Sequence, residues 1–242
     1  EYILEVEKEG FGPFRRTISG NPEVYWDLTF NPPPTSVDAR LFPSDEIPQN
    51  MVFVPGGDYR LTSWRKPTNS PARLGDYFID RYEVSNREYK EFVAAGGYVR
   101  REFWKQPFIR DGKTIEWESA IVELRDKTGM PGPRSWIGQS FPEGRGDHPV
   151  TDITWHEAAA YAEFRGKSLP SIFQWEKAAR NGALTQSADE IMPWGYFDPA
   201  GGTEGRANIA SRDSVPVTAN EFGMSPFGCY NMAGNVAEWC FN

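Results

Sequence analysis

Three short helices, each beginning with a capping box, limit the folds that this chain can adopt. The boxes begin at Ser85, Thr154 and Ser171, where a hydroxyl and a Glu or Gln three residues later can each satisfy a free backbone N–H. A periodic apolar pattern follows each box and stops at a glycine. A fourth helix is predicted over residues 116–127. Because the chain also holds 23 Gly and 20 Pro, we predict an α+β fold with little regular secondary structure.

The organisation along the chain predicts two regions joined by a linker. Residues 1–30 mix short runs of β-forming residues with charges, which is typical of the remaining part of a small β-domain. A run of prolines cannot lie inside a sheet, so residues 31–50 are predicted to be a linker. Residues 51–242 form the larger region. It opens with the predicted strand Met51–Val54, a Pro-Gly-Gly turn and a second strand.

The charge and hydropathy of the chain exclude some classes of partner. The formal net charge is −8 and no basic run opposes it, so we expect no binding to nucleic-acid backbones. No apolar run reaches the roughly 18 residues that a membrane-spanning helix needs. The chain begins at Glu1 without Met and ends at Asn242, so we expect both ends to be cut. The cellular compartment therefore stays undecided, extracytoplasmic or cytoplasmic.

The cysteines and histidines match no familiar catalytic pattern. Cys229 and Cys240 fit no zinc spacing. We interpret them as two small buried apolar residues, with a disulfide or a reactive or metal-binding role as alternatives. His148 and His156 are the only histidines, and we expect both at the surface. The sequence contains no dinucleotide-binding glycine motif, P-loop, nucleophile elbow or H-E-x-x-H zinc motif.

The densest polar motif of the chain spans residues 227–239. Asn231, Asn235 and Glu238 are oxygen donors, and the glycines among them let backbone carbonyls turn inward. Carbonyl, amide and carboxylate oxygens within a few residues suit Ca²⁺. The alternative is a tight loop in which these side chains only satisfy backbone groups. The residues alone leave both interpretations open.

This motif, Tyr-Asn-Met-Ala-Gly-Asn-Val-Ala-Glu-Trp, resembles the signature of the formylglycine-generating-enzyme (sulfatase-modifying factor) family. Further blocks resemble the family in its own order: Met51–Gly57, Phe78–Tyr89, His148–Trp155, Gly166–Arg180, Pro193–Gly195 and Ala207–Ile209. On these blocks the chain is identified as a member over about residues 50–242. Its insertion around residues 100–145 resembles that of members fused to bacterial Ser/Thr kinases and PEGA-type repeats, and residues 7–11 resemble the end of such a repeat.

The resemblance implies a compact fold related to C-type lectins, preceded here by the partial β-domain. It also implies an activity, the oxidation of a sulfatase cysteine to formylglycine by oxygen and a copper ion held by two cysteines. In the family those cysteines follow the signature motif, and this chain ends first. We therefore assign no catalytic residue and expect the family domain to be C-terminally truncated. Copper is expected only if the missing segment supplies its ligands.

The resemblance further implies Ca²⁺ as a cofactor at two sites. One site would use Asn208 and Ile209, with Asp213 as a possible acidic partner. The other would use the side chains of Asn231 and Glu238 with two backbone carbonyls. The implied metal ligands are therefore Asn208, Ile209, Asn231, Gly234, Val236 and Glu238.

One departure from the family puts the oxidation in doubt. Ala237 stands where sulfatase-modifying enzymes usually have Trp, and residues 100–145 form an aromatic-rich insertion. The related iron-dependent sulfoxide synthases need a histidine-rich domain that this chain lacks. Three hypotheses stay open: part of a formylglycine-generating oxidase, a peptide- or glycan-recognition module of a bacterial signalling protein, and a spacer. The expected partner is a protein or peptide, sulfatase-like if the protein is active.

Overall fold

The computed structural model describes residues 2–18, 39–61, 71–180, 191–196, 202–209 and 211–242. The chain divides into two compact units. The first contains residues 1–82, 176–207 and 220–233, and the second contains residues 83–175, 208–219 and 234–242. Within the described part of the chain, no helix has both the length and the apolar character to cross a membrane.

Ten short strands and four α-helices account for the regular structure of the described residues. The strands are β1 (Tyr2–Val6), β2 (Phe14–Ile18), β3 (Met51–Val54), β4 (Gly57–Tyr59), β5 (Ala72–Leu74), β6 (Tyr77–Asp80), β7 (Phe108–Arg110), β8 (Lys113–Ile115), β9 (Ile191–Met192) and β10 (Gly195–Tyr196). The helices are α1 (Asn86–Ala94), α2 (Trp117–Ile121), α3 (Trp155–Phe164) and α4 (Ile172–Arg180), with 3-10 turns at Arg101–Phe103 and Glu221–Gly223. The predicted α+β class with little regular structure is confirmed.

Every sheet of the described chain is an antiparallel pair, and the pairs are β1–β2, β3–β6, β4–β5, β7–β8 and β9–β10. In the first unit the predicted strand β3 alternates, with Val52 and Val54 buried. The Pro-Gly-Gly turn follows it as expected. Gly56 is required there, because an added Cβ would lie 2.6 Å from the backbone oxygen of Leu74. Lys177 Nζ donates to the Gly56 carbonyl at 2.8 Å and holds the turn.

The second unit is built on an aromatic core. The side chains of Tyr89, Phe92 and Trp136 are fully buried, and those of Tyr98 and Trp104 nearly so. Their rings meet edge-to-face or tilted at centroid distances of 5.5 to 6.5 Å, the arrangement that aromatic quadrupoles favour. Because Trp104 and Trp136 belong to the 100–145 insertion, this insertion is part of the core.

The capping boxes form as the sequence predicts. Ser85 Oγ accepts from the Glu88 N–H while the Glu88 carboxylate accepts from the Ser85 N–H, and Thr154 and Glu157 do the same for α3. The Gln174 side chain accepts from the Ser171 N–H at 2.8 Å. The residues that open these three helices were therefore identified correctly from sequence.

The predicted helix over residues 116–127 is wrong in length, since α2 ends at Ile121. After α2, the buried carboxylate of Asp126 accepts hydrogen bonds from backbone N–H groups of the loop. Asp126 Oδ1 accepts from the N–H groups of Thr128 and Met130 at 2.8 and 3.0 Å, and its Oδ2 accepts from Gln139 at 2.7 Å. These hydrogen bonds favour a loop over continued helix, and they lower the pKa of Asp126 despite its burial.

Two expectations about the N-terminal region stay predictions. β1 and β2 form a hairpin within residues 2–18, while the rest of the predicted β-domain and the proline run lie outside the described residues. The proposed boundaries 1–30, 31–50 and 51–242 are not tested by the division into units.

Replacement of Asn86 by Ala is expected to lower the free energy of unfolding by about 1–3 kcal/mol, because buried hydrogen-bonding groups lose their partner. Asn86 Nδ2 donates to the carbonyls of Arg145, His148 and Pro149, and its Oδ1 accepts from Trp136 Nε1 at 2.9 Å. Urea unfolding measures this change.

Arg87→Ala is the matched control, because it removes only an exposed ion pair with Asp147 and should cost less than about 1 kcal/mol. Equal losses in the two variants would show that Asn86 does not organise this region.

Candidate functional site

The end of the signature motif is fixed in the second unit by hydrogen bonds to its backbone. Trp155 Nε1, in the first turn of α3, donates to the Cys240 carbonyl at 2.7 Å. The Phe241 N–H donates to the Pro170 carbonyl at 2.8 Å. Phe241 and Trp239 nevertheless expose about half of their surface, 53% and 49%. Trp239 is therefore not part of the core.

The carboxyl group of Glu238 is largely shielded from water. Trp175 Nε1 donates to its Oε2 at 3.2 Å. Loss of hydration raises the pKa of Glu238 to about 7, and the hydrogen bond from Trp175 opposes the change. The residue as a whole is exposed to solvent. The charge of Glu238 in turn helps to raise the pKa of Cys240, after burial of the thiol.

The structure brings two of the predicted calcium segments together. An added Cβ on Gly234 would lie 2.8 Å from the Asn208 carbonyl oxygen, so only glycine fits this approach. The Asn235 N–H donates to the same oxygen at 3.0 Å. Asn208 Nδ2 and the Val215 N–H donate to Asn235 Oδ1 at 3.2 and 2.8 Å. Asn235 thus ties the signature loop to the Ala-Asn-Ile block.

The other predicted metal ligands are less well placed. Asp213 pairs with Arg145 through both of its oxygens, which lowers the pKa of Asp213 and engages its charge. Ile209 is 52% exposed, and Val236 N–H donates to the Gly234 carbonyl at 3.0 Å. Asn231 belongs to the first unit, where its Oδ1 accepts from Asn220 Nδ2 at 2.9 Å.

A pocket in the second unit was not predicted from the sequence. It occupies about 380 Å³, including the part open to solvent. One face of α3 forms its floor, with His156, Ala159, Ala160 and Glu163 at the helical spacing i, i+3, i+4 and i+7. Other residues complete its wall: Phe103, Trp104, Lys105, Gln106, Ser168, Leu169 and Phe241. The two alanines leave the space into which a ligand group can enter.

The 103–108 segment runs along α3 in the opposite direction. The Phe103 ring lies 5.5 Å from Phe164 at the end of the helix, and the Phe108 ring lies 4.1 Å from His156 at its start. His156 Nε2 donates to the Pro107 carbonyl at 3.1 Å, since a carbonyl only accepts. His156 is therefore held against the 103–108 segment and keeps part of its surface exposed.

The spacing of residues 156, 159, 160 and 163 was the one sequence signal that could have indicated this pocket. Its partners come from the insertion, and their packing against α3 depends on tertiary contacts that periodicity does not reveal.

Comparison with known proteins agrees with the order of the sequence blocks. The sulfatase-modifying factor enzyme 1-like domain matches residues 38–242. The chain belongs to this family. It is similar to a formylglycine-generating enzyme of Thermomonospora curvata, with 35% identity over 81% of this chain and 72% of that protein.

Other relatives of the family domain bear different names. A hercynine oxygenase of Mycolicibacterium smegmatis is 32% identical over 78% of this chain and 44% of its own length. The serine/threonine-protein kinase Pkn1 of Chlamydia trachomatis is 29% identical over 78% of this chain and 27% of its own length. The family domain therefore occurs in proteins of more than one function.

The described residues offer ligands for calcium but none for copper, the two metals that the family implies. Within the described ranges, no three His, Cys, Asp or Glu side chains lie close enough to hold a metal. Cys229 is buried in the first unit and Cys240 is half-buried in the second, and neither forms a disulfide, so we derive no copper site from them. A calcium site would have to rest on carbonyl and amide oxygens with Glu238, whose crowded carboxyl suits a cation.

Without calcium, Glu238→Gln is expected to become more stable relative to the wild type as the pH rises from 5 to 8. The pKa of Glu238 is higher in the folded state than in the unfolded state. As the pH rises from the unfolded to the folded pKa, the wild type therefore loses stability. The glutamine of the variant does not ionise and causes no such loss. Thermal unfolding of both proteins across this pH range measures the difference. A constant difference between pH 5 and pH 8 would contradict the raised pKa.

Proposed function

We propose that this chain recognises a peptide segment of a protein partner in the pocket on α3. The pocket is the observation that carries the proposal. Its floor and walls are mainly apolar, with Phe103, Leu169 and Phe241 among them, and such surfaces bind apolar side chains. The space within it that a water-sized probe can enter is only about 30 Å³, which suits the end of one side chain and excludes a large cofactor.

The rim of the pocket supports a peptide over a purely apolar ligand. Four polar residues line it. Lys105 and Gln106 belong to the 103–108 segment, while Glu163 belongs to α3 and Ser168 follows that helix. A peptide presents an N–H donor and a C=O acceptor at almost every residue, so a rim with both donors and acceptors can pair with it. Phe241 is half exposed, and it offers an aromatic surface at the end of the signature motif.

Membership in the family suggests what such a peptide belongs to. The similarity to a formylglycine-generating enzyme favours a cysteine-containing, sulfatase-like segment, which the parent protein would oxidise. Ala237 in place of the usual Trp argues against unchanged chemistry, and the described cysteines supply no copper step. We therefore assign recognition, and not oxidation, to the residues described.

A second candidate function is recognition within a signalling protein. It is favoured by the similarity to the serine/threonine-protein kinase Pkn1, in which the matched region makes up 27% of the protein. The same pocket would then select a peptide without modifying it. The two candidates are distinguished by incubating a cysteine peptide with the full-length parent protein and measuring the mass of the peptide. Oxidation of the cysteine favours the first candidate, and binding without a change of mass favours the second.

The recognition proposal is tested by filling the pocket. Ala159→Phe should weaken peptide binding about tenfold or more, or about 1.4 kcal/mol, because the ring occupies the floor. The probe is a random twelve-residue peptide library displayed on phage, from which selected peptides are synthesised and measured by fluorescence anisotropy. Ala158→Phe is the matched control, since Ala158 is on α3 but does not line the pocket. An absence of selected peptides, or equal weakening by both variants, would refute the proposal.

We further propose that Ca²⁺ supports the signature loop through Glu238. Millimolar Ca²⁺ should raise the melting temperature by a few degrees, as expected when a ligand binds only the folded state, and Glu238→Gln should remove most of the rise. Glu163→Gln is the control, because Glu163 is an acid of the same unit outside this loop. A rise that persists in Glu238→Gln, or no rise in the wild type, would show that Glu238 holds no calcium.

A further inference from the structure

The wall that the insertion contributes to the pocket on α3 is held by its own contacts. Trp104 is 8% exposed, and its Nε1 donates to the Gly97 carbonyl at 2.9 Å. Its ring stacks on Phe108 at a centroid distance of 5.9 Å, and Phe108 in turn stacks on His156 at 4.1 Å. Because these rings cannot turn or move outward without losing close-packed contacts, the wall keeps its position.

The floor of the pocket and the wall at Phe241 are also held by the fold. Ala160 is 1% exposed and lies in the same core cluster as Tyr161, so the floor cannot recede. Ala159 ends at its Cβ and has no other rotamer that would open more space. The backbone of Phe241 is hydrogen-bonded, and its ring packs against Trp155 at 5.9 Å. A ligand must therefore fit the pocket as it stands.

The space between these walls is small. A water-sized probe can enter only about 30 Å³ of it. A single water needs roughly 10–15 Å³ on this measure, so the space holds about two or three groups of the size of a methyl. The side chains of alanine, cysteine and valine contain no more than that, whereas those of leucine, methionine and phenylalanine contain more. A larger side chain could enter only by displacing a wall, which close packing opposes.

From these observations we infer that the pocket selects peptides by the size of one inserted side chain, accepting alanine, cysteine or valine and rejecting larger residues. Ala159 and Ala160 set the limit, because they leave the only space above α3 that the fixed walls enclose. This inference rests on the proposed peptide recognition and adds the class of side chain that is recognised. Since cysteine lies within the limit, the inference applies to both candidate functions.

The test starts from the tightest peptide selected from the twelve-residue phage library. Glycine scanning of this peptide identifies the inserted residue as the one whose loss weakens binding to the wild type but has no further effect in Ala159→Phe. That residue is then replaced in turn by Ala, Val, Leu, Met and Phe, and fluorescence anisotropy gives the dissociation constant of each peptide. The valine peptide should bind about tenfold or more tighter than the leucine, methionine and phenylalanine peptides, as expected when an apolar pocket discriminates by size.

Enlarging the floor then assigns the limit to its residues. Ala159→Gly removes one methyl from the floor, and it should bind the leucine peptide about tenfold tighter than the wild type does. Ala158→Gly is the matched control, because it weakens the same helix to a similar extent at a position that does not line the pocket. The control should keep the wild-type order of the five peptides, which separates the size of the pocket from the stability of α3.

The outcomes separate this inference from the proposed function. If the leucine or phenylalanine peptide binds the wild type as tightly as the valine peptide, selection by size is refuted while recognition stands. The same conclusion follows if Ala158→Gly and Ala159→Gly improve binding of the leucine peptide equally. If the phage library yields no ligand, both the recognition and the selection are refuted.

Discussion

One buried carboxylate, that of Glu157, holds together the part of the molecule on which the pocket depends. Its Oε2 accepts from the Thr154 N–H at 2.7 Å and closes the capping box that starts α3. Its Oε1 accepts from the Tyr98 hydroxyl at 2.5 Å, and Tyr98 in turn bonds Tyr89 of α1. Burial raises the pKa of Glu157, and these hydrogen bonds oppose the rise. A single group thus joins the beginning of α3 to Tyr98, which lies just before the insertion, and through Tyr98 to α1.

The pocket follows from this arrangement. Because Glu157 is buried on one side of α3, the helical period places His156, Ala159 and Glu163 on a different part of its surface. The insertion passes over that surface between Phe103 and Phe108, held by aromatic contacts at both ends of the helix. The small side chains of the floor leave the gap open. The proposed recognition therefore depends on how the insertion packs against α3.

The sequence predicted the parts of the fold that local chemistry determines. Ser85, Thr154 and Ser171 mark helix starts because their hydroxyls act within three residues, and the Met51–Val54 strand follows from its β-forming residues before a Pro-Gly-Gly turn. The sequence prediction failed where side-chain contacts end a helix, as after α2. There the Asp126 carboxylate accepts backbone hydrogen bonds from the next loop. The pocket was missed for the same reason. The calcium ligands and the lectin-like topology rest on the family resemblance and stay predictions.

Hydrogen–deuterium exchange of the protein with and without a selected peptide tests the central claim most directly, because it locates the bound peptide without any substitution. Recognition on α3 predicts slower exchange in residues 103–106 and 156–163, with little change in the β3–β6 sheet of the first unit. Protection confined to other segments, or no protection at a saturating concentration of a peptide that binds, would contradict the account.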